Sequence, residues 1–97
     1  MEEARESIGA LRAEFDAIDG ALLRLVAERR AVSRRIAAVK RSEGLPLRDA
    51  AREAELLAAL QQQAALLGLP SELVERLYGL LLADSLSVQA ATPPTAT

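Results

Sequence analysis

Ten positions in the first 39 residues constrain this chain more than any other feature. Ile8, Leu11, Phe15, Ile18, Leu22, Leu25, Arg29, Val32, Ile36 and Val39 follow one another at alternating spacings of three and four. That repeat marks a helical face that packs against other helices. Periodicity predicts one helix from about residue 6 to about residue 42, and at ~1.5 Å per residue it is roughly 55 Å long, far beyond an ordinary globular helix. Arg29 is the single polar member of the stripe. A polar residue in a helical seam can set register, and a long arginine stem can carry its head out to water, so Arg29 alone leaves structural and functional readings open.

The rest of the chain divides simply and has no internal repeat. In EGLPLRD, residues 43–49, Gly44 suits a helix C-terminus, Pro46 prevents continuation and Asp49 is a good N-cap. A second helix is predicted from about Ala50 to Leu67, with Leu56, Leu57, Leu60, Ala64 and Leu67 on one face and Glu53 at its head. Gly68, Leu69 and Pro70 break the chain, Ser71 is a candidate cap, and a third helix continues through Leu73, Leu77, Leu80, Leu81 and Val88. Ser85 and Gln89 lie one turn apart near its end. The segment ATPPTAT, residues 91–97, lacks periodicity and is expected to be a disordered tail or the start of a linker, which leaves one domain over residues 1–90. The fold class is all-α: one very long helix and two shorter ones. Two helices of about 18 residues match the long one only if they lie end to end along it, and much of its stripe then lacks a cover. A partner chain is the economical cover, so an intertwined helical homodimer is expected.

Composition removes several classes of function. The 97 residues are 51% hydrophobic, but only Phe15 and Tyr78 are aromatic, so the core is built from Leu, Ile, Val and Ala. A net charge of -2 and a shortage of stacking side chains give no footprint for nucleic acid. No apolar run approaches the ~20 residues of a membrane span, and MEEARES lacks the basic start and apolar segment of a signal peptide, so a cytoplasmic location is expected. Without cysteine or histidine there is no disulfide framework, no zinc site and no histidine base, and no metal or cofactor is expected.

The polar residues on apolar faces form a set. Arg29 and Lys40 are eleven residues apart, a near-whole number of turns, so they point the same way about 16 Å apart along one helix. The short connection from Gly44 to Arg48 returns the second helix beside Lys40 and brings Asp49, Arg52 and Glu53 close to it. Arg12 precedes Arg29 by 17 residues, roughly 25 Å along the axis, so it can share a small ligand with Arg29 only from another subunit. Arg30, Arg34, Arg35 and Arg41 read as surface ion pairs of little energetic weight. That account does not extend to Arg29, Glu53 and Gln89.

With these residues assembled, the chain resembles the all-helical chorismate mutase family from about Leu11 to Gln89. The resemblance runs through LRAEFDAIDGALLRLVAERR, Lys40, LPLRDAARE and ADSLSVQ. It implies that Arg12 reaches into the partner's site, and that Arg29, Lys40, Asp49, Arg52, Glu53, Ser85 and Gln89 line the site of their own chain. It further implies conversion of chorismate to prephenate, an intramolecular Claisen rearrangement of aromatic amino acid biosynthesis. Such a rearrangement requires no nucleophile, metal or proton shuttle. It requires a dianion held in a compact conformer, with charge stabilised as the ether C–O bond breaks. Under that implication Arg12 and Arg29 clamp carboxylates, while Lys40 and the Gln89 amide donate to the ether oxygen. Glu53 accepts from the ring hydroxyl, Asp49 sets the loop, Arg52 and Ser85 complete the polar lining, and Val32, Ile36 and Leu82 form the apolar wall.

Alternative readings are an isochorismate pyruvate lyase or an aminodeoxychorismate mutase of the same fold, in whose branches the D-x-x-R-E segment is altered. A non-catalytic helical dimerisation or regulatory module would need the apolar stripes without the converging polar set. The tail also admits a linker to a prephenate-processing domain.

Overall fold

A computed structural model describes residues 6–93 of the chain. It contains three helices, α1 (Ile8–Ser42), α2 (Ala50–Leu66) and α3 (Ser71–Ala91). The N-terminus of α1 is set by Ser7, whose extended backbone lets its hydroxyl accept from the Ala10 N–H at 3.0 Å. This places the start two residues later than the periodicity predicts.

Both α1 and α2 stop by the same device. After α1, Gly44 adopts φ 68°, the Leu45 N–H donates to the Lys40 carbonyl at 2.7 Å, and the Gly44 N–H donates to the Arg41 carbonyl at 3.3 Å. After α2, Gly68 adopts φ 74°, with the Leu69 N–H on Ala64 at 2.9 Å and the Gly68 N–H on Ala65 at 3.1 Å. Each pair of bonds satisfies carbonyls that the helix end would otherwise leave unpaired, and each requires a left-handed residue that glycine supplies without a Cβ penalty.

Asp49 caps α2 as expected, its carboxylate accepting from the Arg52 N–H at 3.0 Å. Ser71 does not cap α3. Extended Pro70 is the N-cap and its carbonyl accepts from the Val74 N–H at 3.3 Å, so Ser71 is already the first helical residue. At the other end Ala91 is still helical, and the Thr92 hydroxyl turns back onto the Val88 carbonyl at 2.7 Å. Residues 94–97 of the expected tail lie outside the described residues.

Only α3 lies along α1. Side-chain bonds pair Arg29 with Leu81 and Ser85, and Arg41 with Gln89 and Ala90, so α3 runs in the same direction as the C-terminal half of α1. In place of the end-to-end arrangement expected along α1, α2 packs against α3. α3 carries a broad apolar face, with Val74, Leu77, Leu81 and Val88 toward one side of it and Leu82 and Leu86 toward the other, wide enough to serve two neighbours.

The shape is elongated, 67 × 28 × 18 Å. Among the described residues the buried apolar ones are Ala37, Ala64, Val74 and Val88, while Phe15 keeps 65% and Leu25 56% of its surface exposed. Among the described residues no helix is long and apolar enough to cross a membrane.

The turn after α2 provides a test of this account. A Cβ on Gly68 would meet nothing within 4 Å, so the cost of Gly68→Ala is conformational. It is expected to destabilise the fold by about 1 kcal/mol in urea denaturation. Gly68→Asn should cost less, because asparagine tolerates the left-handed region better than alanine.

Candidate active site

Where α3 crosses the C-terminal half of α1 and the start of α2 approaches, the helices enclose a cleft of about 880 Å³. This lies in the upper part of the ~300–1,000 Å³ typical of small-molecule sites. Seven of the eight expected site residues line it: Arg29, Lys40, Asp49, Arg52, Glu53, Ser85 and Gln89. The expected apolar wall of Val32, Ile36 and Leu82 lines it too, with Leu25, Leu56, Leu77, Leu81 and Leu86. Arg12 does not. It is exposed on the N-terminal half of α1, roughly 25 Å along the axis from Arg29.

Arg29 faces α3 from the middle of the seam. Its Nη1 donates to the Ser85 hydroxyl at 2.9 Å and to the Leu81 carbonyl at 3.3 Å. Its guanidinium carbon lies 5.8 Å from the centroid of the Tyr78 ring, within cation–π range. Both Nη1 protons are thereby committed, while the Nε and Nη2 edge remains for a planar anion. One turn further along α1, Ser33 is buried and its hydroxyl donates to that of Ser85 at 3.2 Å. Sequence reasoning missed Ser33 and Tyr78. The available signal was helical spacing, since Ser33 follows Arg29 by four residues and Tyr78 precedes Ser85 by seven.

The other end of the cleft is built by the loop between α1 and α2. Lys40 Nζ donates to the Leu47 carbonyl at 2.6 Å, tying the last turn of α1 to the loop that delivers α2. Glu53 is held by an unanticipated neighbour, accepting from Arg48 Nε at 3.1 Å. That pair is open to water on the arginine side and is energetically weak, so it leaves Glu53 available to other donors. Arg52, in the first turn of α2, is exposed.

Gln89 is buried with only 6% of its surface exposed, although it also lines the cleft. Its backbone carbonyl accepts from Arg41 Nη2 at 3.0 Å. Arg41 is therefore half-buried between α1 and α3, not in a surface ion pair, because its position near the end of α1 faces the last turn of α3. Arg30 does form a partly exposed ion pair, with Asp84 at 3.2 Å.

The formal charge of the lining balances. Arg29, Lys40 and Arg52 supply three positive charges, and Glu28, Asp49 and Glu53 supply three negative ones. A dianion entering this cleft gains from the placement of the charges, but no net field from one chain draws it in.

The fold is all-helical, and its cleft combines an arginine fork, a lysine, carboxylates and a buried amide over apolar walls inside a helix bundle. The sequence pattern described as chorismate mutase type II matches residues 11–90, and the chain belongs to that family. It is similar to a T-protein of Enterobacter agglomerans, 37% identical over 76 residues that make up 78% of this chain and 20% of that protein. It is also similar to a bifunctional chorismate mutase/prephenate dehydratase of Enterobacter agglomerans, 37% identical over 82 residues, 84% of this chain and 21% of that protein. The chain thus spans about a fifth of the length of these curated relatives.

Because Arg29 interrupts an apolar seam, its presence is expected to serve something other than stability. Arg29→Leu should leave helix content unchanged and should raise the stability or hold it within about 1 kcal/mol of the original, since a packed apolar side chain replaces a partly buried charge without loss. A large drop on thermal melting would show that the guanidinium is structural.

Proposed function

We propose that the chain is a chorismate mutase acting on free chorismate, with the domain over residues 1–90 as its catalytic unit. The observation that carries this reading is the convergence of Arg29, Lys40, Glu53 and Gln89 on one cleft within a chain of the chorismate mutase type II family. Both named relatives support it, one of them explicitly a chorismate mutase by name.

In the proposed reaction the ether C–O bond breaks while a C–C bond forms between the enolpyruvyl methylene and the ring. Six electrons move in a cycle and no proton leaves the substrate. The protein has two tasks, to hold the folded conformer and to meet negative charge as it grows on the ether oxygen. The free edge of Arg29 suits one carboxylate in bidentate geometry, with Ser85 fixing the guanidinium from behind. Lys40 commits one proton to Leu47 and keeps two for the substrate. Its ammonium and the Gln89 amide are the proposed donors to the ether oxygen. Glu53 accepts from the ring hydroxyl, Arg52 and Asp49 complete the polar lining, and the Leu, Ile and Val walls hold the ring against water.

The active form is proposed to be an intertwined homodimer, in the cytoplasm, with Arg12 of one subunit completing the site of the other. Two observations support it. The stripe residues Ile8, Phe15 and Ile18 are exposed and take no part in the cleft that α3 forms with α1. The cleft's balanced charge also leaves a dianion uncompensated by two charges, and a guanidinium from the partner would halve that deficit.

Purified protein incubated separately with chorismate, isochorismate and aminodeoxychorismate should give prephenate from the first as the dominant reaction. Dominant pyruvate release from isochorismate would make it a lyase. Turnover of none of the three would favour a dimerisation module.

Two sets of variants test the roles. Gln89→Ala is expected to lower kcat by about 10²- to 10³-fold, the usual cost of one transition-state donor. Arg12→Ala and Arg29→Ala should each be inactive, yet unfolding and refolding them together should restore activity. One site of each heterodimer then collects both defects and the other none. Confirmed heterodimers without recovery would place both arginines in the same chain's site.

A further inference from the structure

Among the described residues, two buried side-chain atoms have no hydrogen-bond partner, Nε of Arg41 and Oε1 of Gln89. One is a donor and the other an acceptor. Their residues are already joined, because Arg41 Nη2 donates to the Gln89 backbone carbonyl at 3.0 Å and to that of Ala90 at 3.5 Å. An unpaired buried polar group costs ~1–3 kcal/mol, so two of opposite kind on residues already bonded to each other gain from pairing. Helix capping by Arg41 accounts for its Nη2 and leaves its Nε unexplained.

We propose that Arg41 is a positioning residue for Gln89. Its Nε–H takes the amide oxygen, and this fixes the opposite end of the amide, the NH₂, toward the cleft that Gln89 lines. A primary amide has a donor end and an acceptor end of nearly the same shape. Without a partner for the oxygen, rotation about the terminal side-chain bond presents that oxygen to the cleft as readily as the nitrogen. In the reaction proposed above this would set a partial negative charge against the ether oxygen just as its own charge grows. Arg41 acts on orientation and does not touch substrate. The inference rests on the reading that Gln89 donates to the reacting oxygen.

A double-mutant cycle separates this role from a structural one. Arg41→Leu is made alone and together with Gln89→Ala, folding is checked by circular dichroism and thermal melting, and kcat and KM for chorismate are measured. In the otherwise unchanged protein Arg41→Leu is expected to lower kcat by about tenfold and to move KM by less than about twofold. With Gln89→Ala already present, the same change should leave kcat within about twofold, because no amide remains to be oriented. An equal loss in both backgrounds would make Arg41 structural, and an unchanged kcat in Arg41→Leu would remove it from the mechanism altogether.

A readout that needs neither substrate nor an Arg41 variant comes from the ¹⁵N-labelled chain. The Arg41 Nε–H resonance should be protected from exchange and should lose that protection in Gln89→Ala. Protection that survives the loss of the amide overturns the pairing. Failure of the wild-type chain to form prephenate would sink the proposed function, while the resonance would still decide whether Arg41 holds Gln89.

Discussion

A helix of 35 residues cannot be covered by one of 21 that must also serve a third, and most of this molecule follows from that mismatch. α3 has enough length to line the C-terminal half of α1 and enough apolar surface to hold α2 on its other side. The N-terminal half of α1 is left with a regular apolar face that no other helix among the described residues buries. The few buried apolar residues are the geometric result, since most large side chains sit on faces that the chain alone does not close. The cleft forms where α3 meets the C-terminal half of α1 and the first turns of α2 approach, and the polar residues of all three helices face one another there.

The contact between α1 and α3 is unusual in what it gives up. Arg29, Ser33 and Arg41 from one helix meet Ser85 and Gln89 from the other, a line of polar groups where aliphatic residues would pack with less desolvation cost. Most members of the line are satisfied: the guanidinium of Arg29 by a hydroxyl and a carbonyl, Ser33 by Ser85, and the end of Arg41 by two carbonyls of α3. Where its bonds are made, at Arg29 Nη1, Ser33, Ser85 and Arg41 Nη2, such a network restrains its members' orientations, while Arg41 Nε and Gln89 Oε1 remain unpaired.

The helices were readable because each carries its own signals within a few residues. The three-four stripe, Gly44, Asp49 and Gly68 act locally, so the ends of α1 and α2 fall within one or two residues of where those signals put them. Ser71 was misread because two residues in succession suit a helix start, and only backbone geometry shows that Pro70 takes the N-cap position. Arg29, Glu53 and Gln89 stood out because each lies on an apolar face, and Lys40 because it points the same way as Arg29, while the short loop returns Glu53 beside Lys40. Ser33, Tyr78 and Arg41 were not legible in the same way. A serine and an arginine on a helix read equally well as solvated; spacing puts Ser33 on the face of Arg29, but only the approach of α3, a tertiary fact, sets it and Arg41 apart. The packing of α2 on α3 instead of α1 is tertiary for the same reason.

Because α1 and α3 run in the same direction, their C-termini finish side by side. Each such end carries roughly half a negative charge from its aligned peptide dipoles, so the pair forms a repulsive electrostatic pole at the rim of a cleft suited to anions. α3 has no basic residue in its last turn, and α1 has two, Lys40 and Arg41. By reaching across to the Gln89 and Ala90 carbonyls, Arg41 neutralises a pole that its neighbour cannot neutralise for itself. The first turn of α2 lines the same cleft with the opposite, positive end of its own dipole. A bound anion therefore experiences a gradient along the cleft, and its orientation is biased by the direction in which three helices happen to run, before any side chain touches it.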